Sequence, residues 1–113
     1  MAEPYLKTLS TIVVELELSS SKQIELECKH FFSGAALYAN GKICTSLTPA
    51  GFALKLPAEV RKHLLESGEG KELRYFDKAP LKREYVVLPE ALIADPKRLK
   101  KLLNQSVGYV TGR

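Results

Sequence analysis

Two histidines, two cysteines and scattered charged residues are the side chains of this 113-residue chain that could do chemistry. His30 follows Lys29 and precedes Phe31 and Phe32. With Lys29 or Tyr38 it forms the one combination suited to a small ligand or to proton transfer, since imidazole changes charge near neutral pH. The residues around it alternate as a strand does, so the plainer reading is a structural or solvated histidine. His63 stands beside Lys62 on a predicted surface helix and reads the same way. Cys28 and Cys44 are too few for a disulfide framework. A two-residue turn at Asn40-Gly41 would set Leu37 opposite Cys44, so Cys28 is not its cross-strand partner. Neither cysteine has a second Cys or His at metal-ligand spacing. Both read as reduced, small, buried hydrophobes in a cytoplasmic protein.

Other candidate constellations are no stronger. Glu25 and Glu27 share a strand face, but alternation makes that the wet side of a strand. Ser67-Gly68-Glu69-Gly70 lacks the Lys-Ser/Thr ending and the preceding strand of a phosphate-binding loop. No hydrolase motif joins a serine, a histidine and an acid, and no strand carries the aromatic RNA-binding signature. No catalytic, cofactor or metal residue is assigned, and the chain is expected not to be an enzyme.

Charge says somewhat more. The formal net charge is +4. The first 57 residues are balanced, and the excess lies in the second half. Lys97, Arg98, Lys100 and Lys101 occupy the first turns of a predicted helix, where cations oppose the helix dipole at about 0.3–1 kcal/mol each near the end. A second basic group, Lys78, Lys82 and Arg83, lies in the loop before the last strand. Together they are the candidate surface for an anionic partner, with nucleic acid as the alternative function. A solvated face is the plainer reading.

These residues must be positioned by one domain, residues 1–113, with an ordinary apolar content of 45%. No apolar run is long enough to cross a bilayer, no secretion signal opens the chain, and no membrane partner is expected. Tyr5, Leu6, Leu9, Ile12, Val13 and Leu16 recur at helical spacing after Pro4. Residues 24–32 alternate as a half-buried strand, and the pattern runs on to Asn40 with Gly34 inside it, where a glycine suggests a bulge or a close backbone approach. Asn40-Gly41 is a strong hairpin signal because both turn positions need positive φ. Pro49-Ala50-Gly51 makes the next turn, into GFALKL. Pro57 starts a helix with Val60, Leu64 and Leu65 as its apolar face. ELRYF and EYVVLP read as two more strands. A helix capped by Asp95-Pro96 closes the chain. Leu99, Leu102, Leu103, Ser106, Val107, Tyr109 and Val110 lie on one arc of it. The order is α-β-β-β-α-β-β-α, an α+β two-layer sandwich with about five antiparallel strands and one open sheet face.

Set out in that order, the pieces resemble the N-terminal domain of the TfoX/Sxy proteins. The resemblance rests on Lys29, Phe31-Phe32, Ser33-Gly34 and Leu37-Tyr38-Ala39-Asn40-Gly41. It continues through Leu54-Lys55-Leu56-Pro57 and Tyr85-Val86-Val87-Leu88-Pro89 to Asp95-Pro96. Family members often carry Met-Phe-Gly-Gly where this chain has Phe31-Phe32-Ser33-Gly34. The resemblance implies a sandwich like that of type III secretion chaperones, with Phe32, Gly34, Tyr38 and Gly41 as structural motif residues. It also implies a non-enzymatic, protein-interacting regulator of the competence type, acting here as a stand-alone domain. The second, helical domain of full-length regulators is not matched, so action with the cyclic-AMP receptor protein is not expected. A protein partner is expected, and a small sandwich with one open sheet face suits a homodimer.

Overall fold

In a computed structural model, residues 3–16, 24–31, 34–74, 78 and 82–112 are described. The elements are α1 (Glu3–Glu15), β1 (Leu26–Phe31), β2 (Gly34–Ala39), β3 (Lys42–Thr48), β4 (Gly51–Lys55), α2 (Ala58–Glu66), β5 (Lys71–Leu73), β6 (Lys82–Val87), α3 (Glu90–Ile93) and α4 (Pro96–Thr111). The six strands form one antiparallel sheet in the order β1-β2-β3-β4-β6-β5. The α+β class holds, with six strands in place of five.

The extra strand comes from the stretch around Gly34. It reads in sequence as a kink within one strand, yet Phe31 pairs with Gly34 and Leu26 with Ala39 across an antiparallel ladder. The chain therefore reverses between Phe31 and Gly34, and one predicted strand becomes two. Glycine is still required there for the second reason given by the sequence, close approach. A Cβ on Gly34 would run into the carbonyl oxygen of Leu47 on β3. The next turn forms as expected: Asn40 and Gly41 have φ of 51° and 81°, matching a tight hairpin turn. The Asn40 side chain also accepts the backbone N–H of Glu25 at 2.8 Å, while its own N–H donates to the Glu25 carbonyl at 2.8 Å. One residue thus closes the β2–β3 turn and anchors the start of β1.

Register corrects a second expectation. Tyr38 faces Ile43, but Leu37 faces Thr45, so Cys44 is the extra residue of a β-bulge. Leu37 is paired on its other side with Cys28. The bulge sends Cys44 into the main core, where Leu37, Leu54, Val86 and Leu103 also meet.

All four helices contribute to that core: Leu9 and Val13 from α1, Leu64 from α2, Leu92 from α3, and Leu99, Leu102, Leu103 and Val107 from α4. Each such leucine contributes about 1.5–3 kcal/mol by leaving water. On α2 the expected apolar face narrows, because Leu65 is 38% exposed. Of the strand expected over ELRYF, Glu72 and Leu73 lie in β5, Arg74 lies beyond it, and Tyr75 and Phe76 are outside the described residues. The opposite face of the sheet meets no described helix, but it is not the open face expected from sequence. Ala36, Ser46 and Ala53 at its middle are fully buried, and Ala53, Leu73 and Tyr85 form a second small cluster there.

Candidate interaction surface

The basic residues were the strongest charge signal in the sequence, and the structure divides them. Asp95 caps α4 and accepts the Arg98 backbone N–H at 3.4 Å, with Pro96 in the first helical turn. The Arg98 guanidinium grips Glu69 at two points, 2.7 Å and 3.0 Å. Those bonds hold the Glu69 carboxyl below its ordinary range and raise Arg98 further. Arg98 is therefore a clasp between the start of α4 and the loop after α2. That leaves Lys97, Lys100 and Lys101 exposed on the helix surface.

Lys82 and the Arg83 backbone lie in β6, not in the loop expected before it; Lys82 is exposed there, and Lys78 is exposed with a φ of 69°. The Arg83 side chain, like the whole of Phe32, lies outside the described residues. Tyr109, near the end of α4, donates its hydroxyl to Glu84 at 2.7 Å, beside that strand start. Glu69, by contrast, lies two residues before Lys71, which pairs with Val87 at the finish of β6. α4 thus runs antiparallel to β6. Lys82 and Arg83 mark one end of the pair, and Lys97 to Lys101 mark the other. The rise from Arg98 to Tyr109 is about 16 Å. Lys82, of the second group, and the exposed lysines at the start of α4 therefore lie toward different ends of that helix.

The remaining reactive side chains are also dispersed. His30 is exposed on β1. His63 is exposed on α2 and borders a groove of about 380 Å³ whose apolar side is Val60, Leu64 and Leu102, with Arg98 and Lys101 on its rim. A second groove, of about 530 Å³, is lined by Lys42, Lys55, Glu84 and Tyr109 among others. His30 lines neither groove. Cys44 is fully buried; its thiol donates to the Leu37 carbonyl at 3.4 Å and accepts from the Thr45 hydroxyl at 3.7 Å. Burial pushes that thiol up to about 11. Cys28 is half-buried, and burial raises its thiol despite a hydrogen bond from Ser10. Among the described residues no three His, Cys, Asp or Glu side chains gather where they could hold a metal ion.

The structure does bring one unassigned feature forward. Among the described residues β1 lies at the rim of the sheet, with β2 as its one strand neighbour. Glu25, Glu27, Lys29 and His30 are exposed along it. The bond from Asn40 N–H to the Glu25 carbonyl fixes the phase of the ladder. Hydrogen-bonded pairs recur at every second position of an antiparallel ladder. Glu25, Glu27 and Lys29 therefore point their backbone groups at β2, and Leu26, Cys28 and His30 point theirs away from the sheet. Lys29 also stacks over the Tyr38 ring at 5.4 Å and lies 3.5 Å from Glu27. Sequence patterning missed this surface because the strand that makes β1 an edge, β2, was merged with it. Tyr38, one of the motif residues of the resemblance, lies under Lys29, and Gly41, with its positive φ, shapes the turn that follows β2.

A family model described as the TfoX N-terminal domain matches residues 19–109. Nothing matches among the curated proteins or among the solved structures.

Proposed function

This chain belongs to the TfoX N-terminal domain family, and on that premise we propose that it is a non-catalytic, protein-binding regulatory module that takes its partner at the β1 edge. The observation that carries this reading is the row of outward-facing backbone groups at Leu26, Cys28 and His30, beside an edge with no strand neighbour among the described residues. An unpaired edge is a template for an added strand, with main-chain bonds supplying affinity and side chains supplying selectivity. A role in transcriptional control of the competence type fits the family. Two free cysteines fit a reducing, cytoplasmic setting.

The test is a proline at the edge. His30→Pro removes an N–H that points away from β2, so the fold is expected to survive, as prolines are tolerated on edge strands. Capture from nuclease-treated extract of the source cell, read by mass spectrometry, should return a defined partner with the wild-type chain and lose it with His30→Pro. Equal capture by both chains, with both shown folded by circular dichroism, would sink the edge reading.

A further inference from the structure

An edge strand left bare invites aggregation, and proteins commonly guard such edges with charge. β1 is guarded in an unusual way. Its exposed row carries Glu25 and Glu27 at one end and Lys29 at the other. Like charges throughout would repel a second copy of the same strand in every register. A row that changes sign at its middle repels some strands and attracts one that runs antiparallel with the same sequence.

Resting on the edge reading above, we propose that the strand β1 receives is β1 of a second copy, giving a two-fold dimer with one continuous sheet. The register follows from the ladder. Outward-facing residues must pair with outward-facing residues, so Leu26, Cys28 and His30 of one chain meet the same set of the other. Three registers near the middle satisfy this. Centring on Glu27 sets two glutamates face to face. Centring on Lys29 does the same with two lysines. Centring on Cys28 sets Glu27 opposite Lys29 of the second copy, and Lys29 opposite its Glu27. Only this last register avoids a like-charge pair at the axis, and like charges directly opposite are destabilising.

Within one chain Glu27 and Lys29 already lie 3.5 Å apart. In the dimer they become a square of four charges with alternating sign. Glu27 and Lys29 fall at the positions where the cross-strand distance is shorter, because their own backbone groups bind β2. The partner is thus recognised by charge order as well as by backbone bonds, and the isologous contact closes on two chains. On the helix side, the partly buried Ile24, Leu26 and Cys28 line the same edge and would lose water at the junction.

Charge reversal and its rescue test this. Sedimentation over a wide concentration range should show the wild-type chain passing from monomer to dimer. Lys29→Glu sets glutamate against glutamate twice, as Glu27→Lys sets lysine against lysine, and each should weaken dimerisation about tenfold or more. Glu27→Lys with Lys29→Glu restores both opposite-charge pairs and should restore the dimer. Rescue also excludes misfolding as the cause of the loss. A wild-type chain that stays monomeric throughout, a dimer indifferent to Lys29→Glu, or a double variant no better than the singles would overturn self-pairing. Those outcomes are distinct from failure of the edge reading, which turns on partner capture by His30→Pro.

Discussion

Cys44 has no accessible surface, and that burial pushes its thiol from an ordinary 9.0 up to about 11. The sign of the consequence is fixed by which state ionises first. Below pH 9 the thiol is neutral in both folded and unfolded chains, and the group's contribution is fully present. Between pH 9 and 11 the unfolded chain ionises while the folded chain does not, so stability is lost. The loss is on the order of 2–3 kcal/mol when complete. Urea unfolding at pH 8, 9.5 and 10.5 should show this decline, and Cys44→Ala should flatten it. An undiminished slope in the variant would assign the alkaline loss to other groups. Sequence reasoning saw Cys44 as a small buried hydrophobe, and that is where it lies. It placed Leu37 opposite it because a two-residue turn was counted forward without a bulge. No residue type at positions 43–45 announces that extra residue, since the bulge is chosen by packing across the sheet. Glu69 was passed over within a loop, because its partner Arg98 is far along the chain and no local pattern links them.

At the scale of elements, Ser106 shows how α4 and β3 are matched. It lies in the apolar arc of the helix, fully buried, and its hydroxyl donates to the Cys44 carbonyl at 2.7 Å. A bulge leaves its extra residue out of the regular ladder, and here the helix supplies the missing donor. Ser106→Ala keeps the volume nearly unchanged but leaves that buried carbonyl without this bond. The expected cost is about 1–3 kcal/mol, read as a lower urea midpoint with an unchanged slope. A midpoint equal to wild type would mean the carbonyl finds another donor. The arc itself was legible, since helical periodicity needs only local sequence. Asn40-Gly41 was legible too, because positive φ at two successive residues restricts the choice of side chain. The division of β1 from β2 was not. Apolar alternation runs up to the reversal, and nothing at Ser33-Gly34 matches the Asn-Gly signal of the next hairpin. Two strands read as one hide an edge, so the β1 surface shows only in the sheet order.

At the scale of the whole molecule, the basic excess is arranged in a way that bears on nucleic acid as a partner. Seven basic residues would make a strong counterion-release surface if they met one phosphate backbone together. The fold instead puts Lys82 and the Arg83 backbone near the end of α4, away from Lys97 to Lys101 at its start, and it commits Arg98 to Glu69. A duplex lying across the start of α4 meets three exposed lysines there, Lys97, Lys100 and Lys101. At about 0.9 counterions released per phosphate neutralised, the logarithm of affinity should fall against the logarithm of salt with a slope no steeper than about three. Lys100→Glu with Lys101→Glu should abolish that contact, while Lys82→Glu should leave it unchanged, both at unaltered thermal stability because all three side chains are exposed. Fluorescence anisotropy with a short labelled duplex at several salt concentrations reads both quantities. A slope of six or seven, or equal losses from the two ends, would show that the duplex spans the molecule. Charge placement would then have to join β1 edge pairing in the account of what this chain binds. Composition could give the excess of charge, and periodicity could give the helix that carries half of it. Only the antiparallel course of α4 along β6 decides whether the halves add.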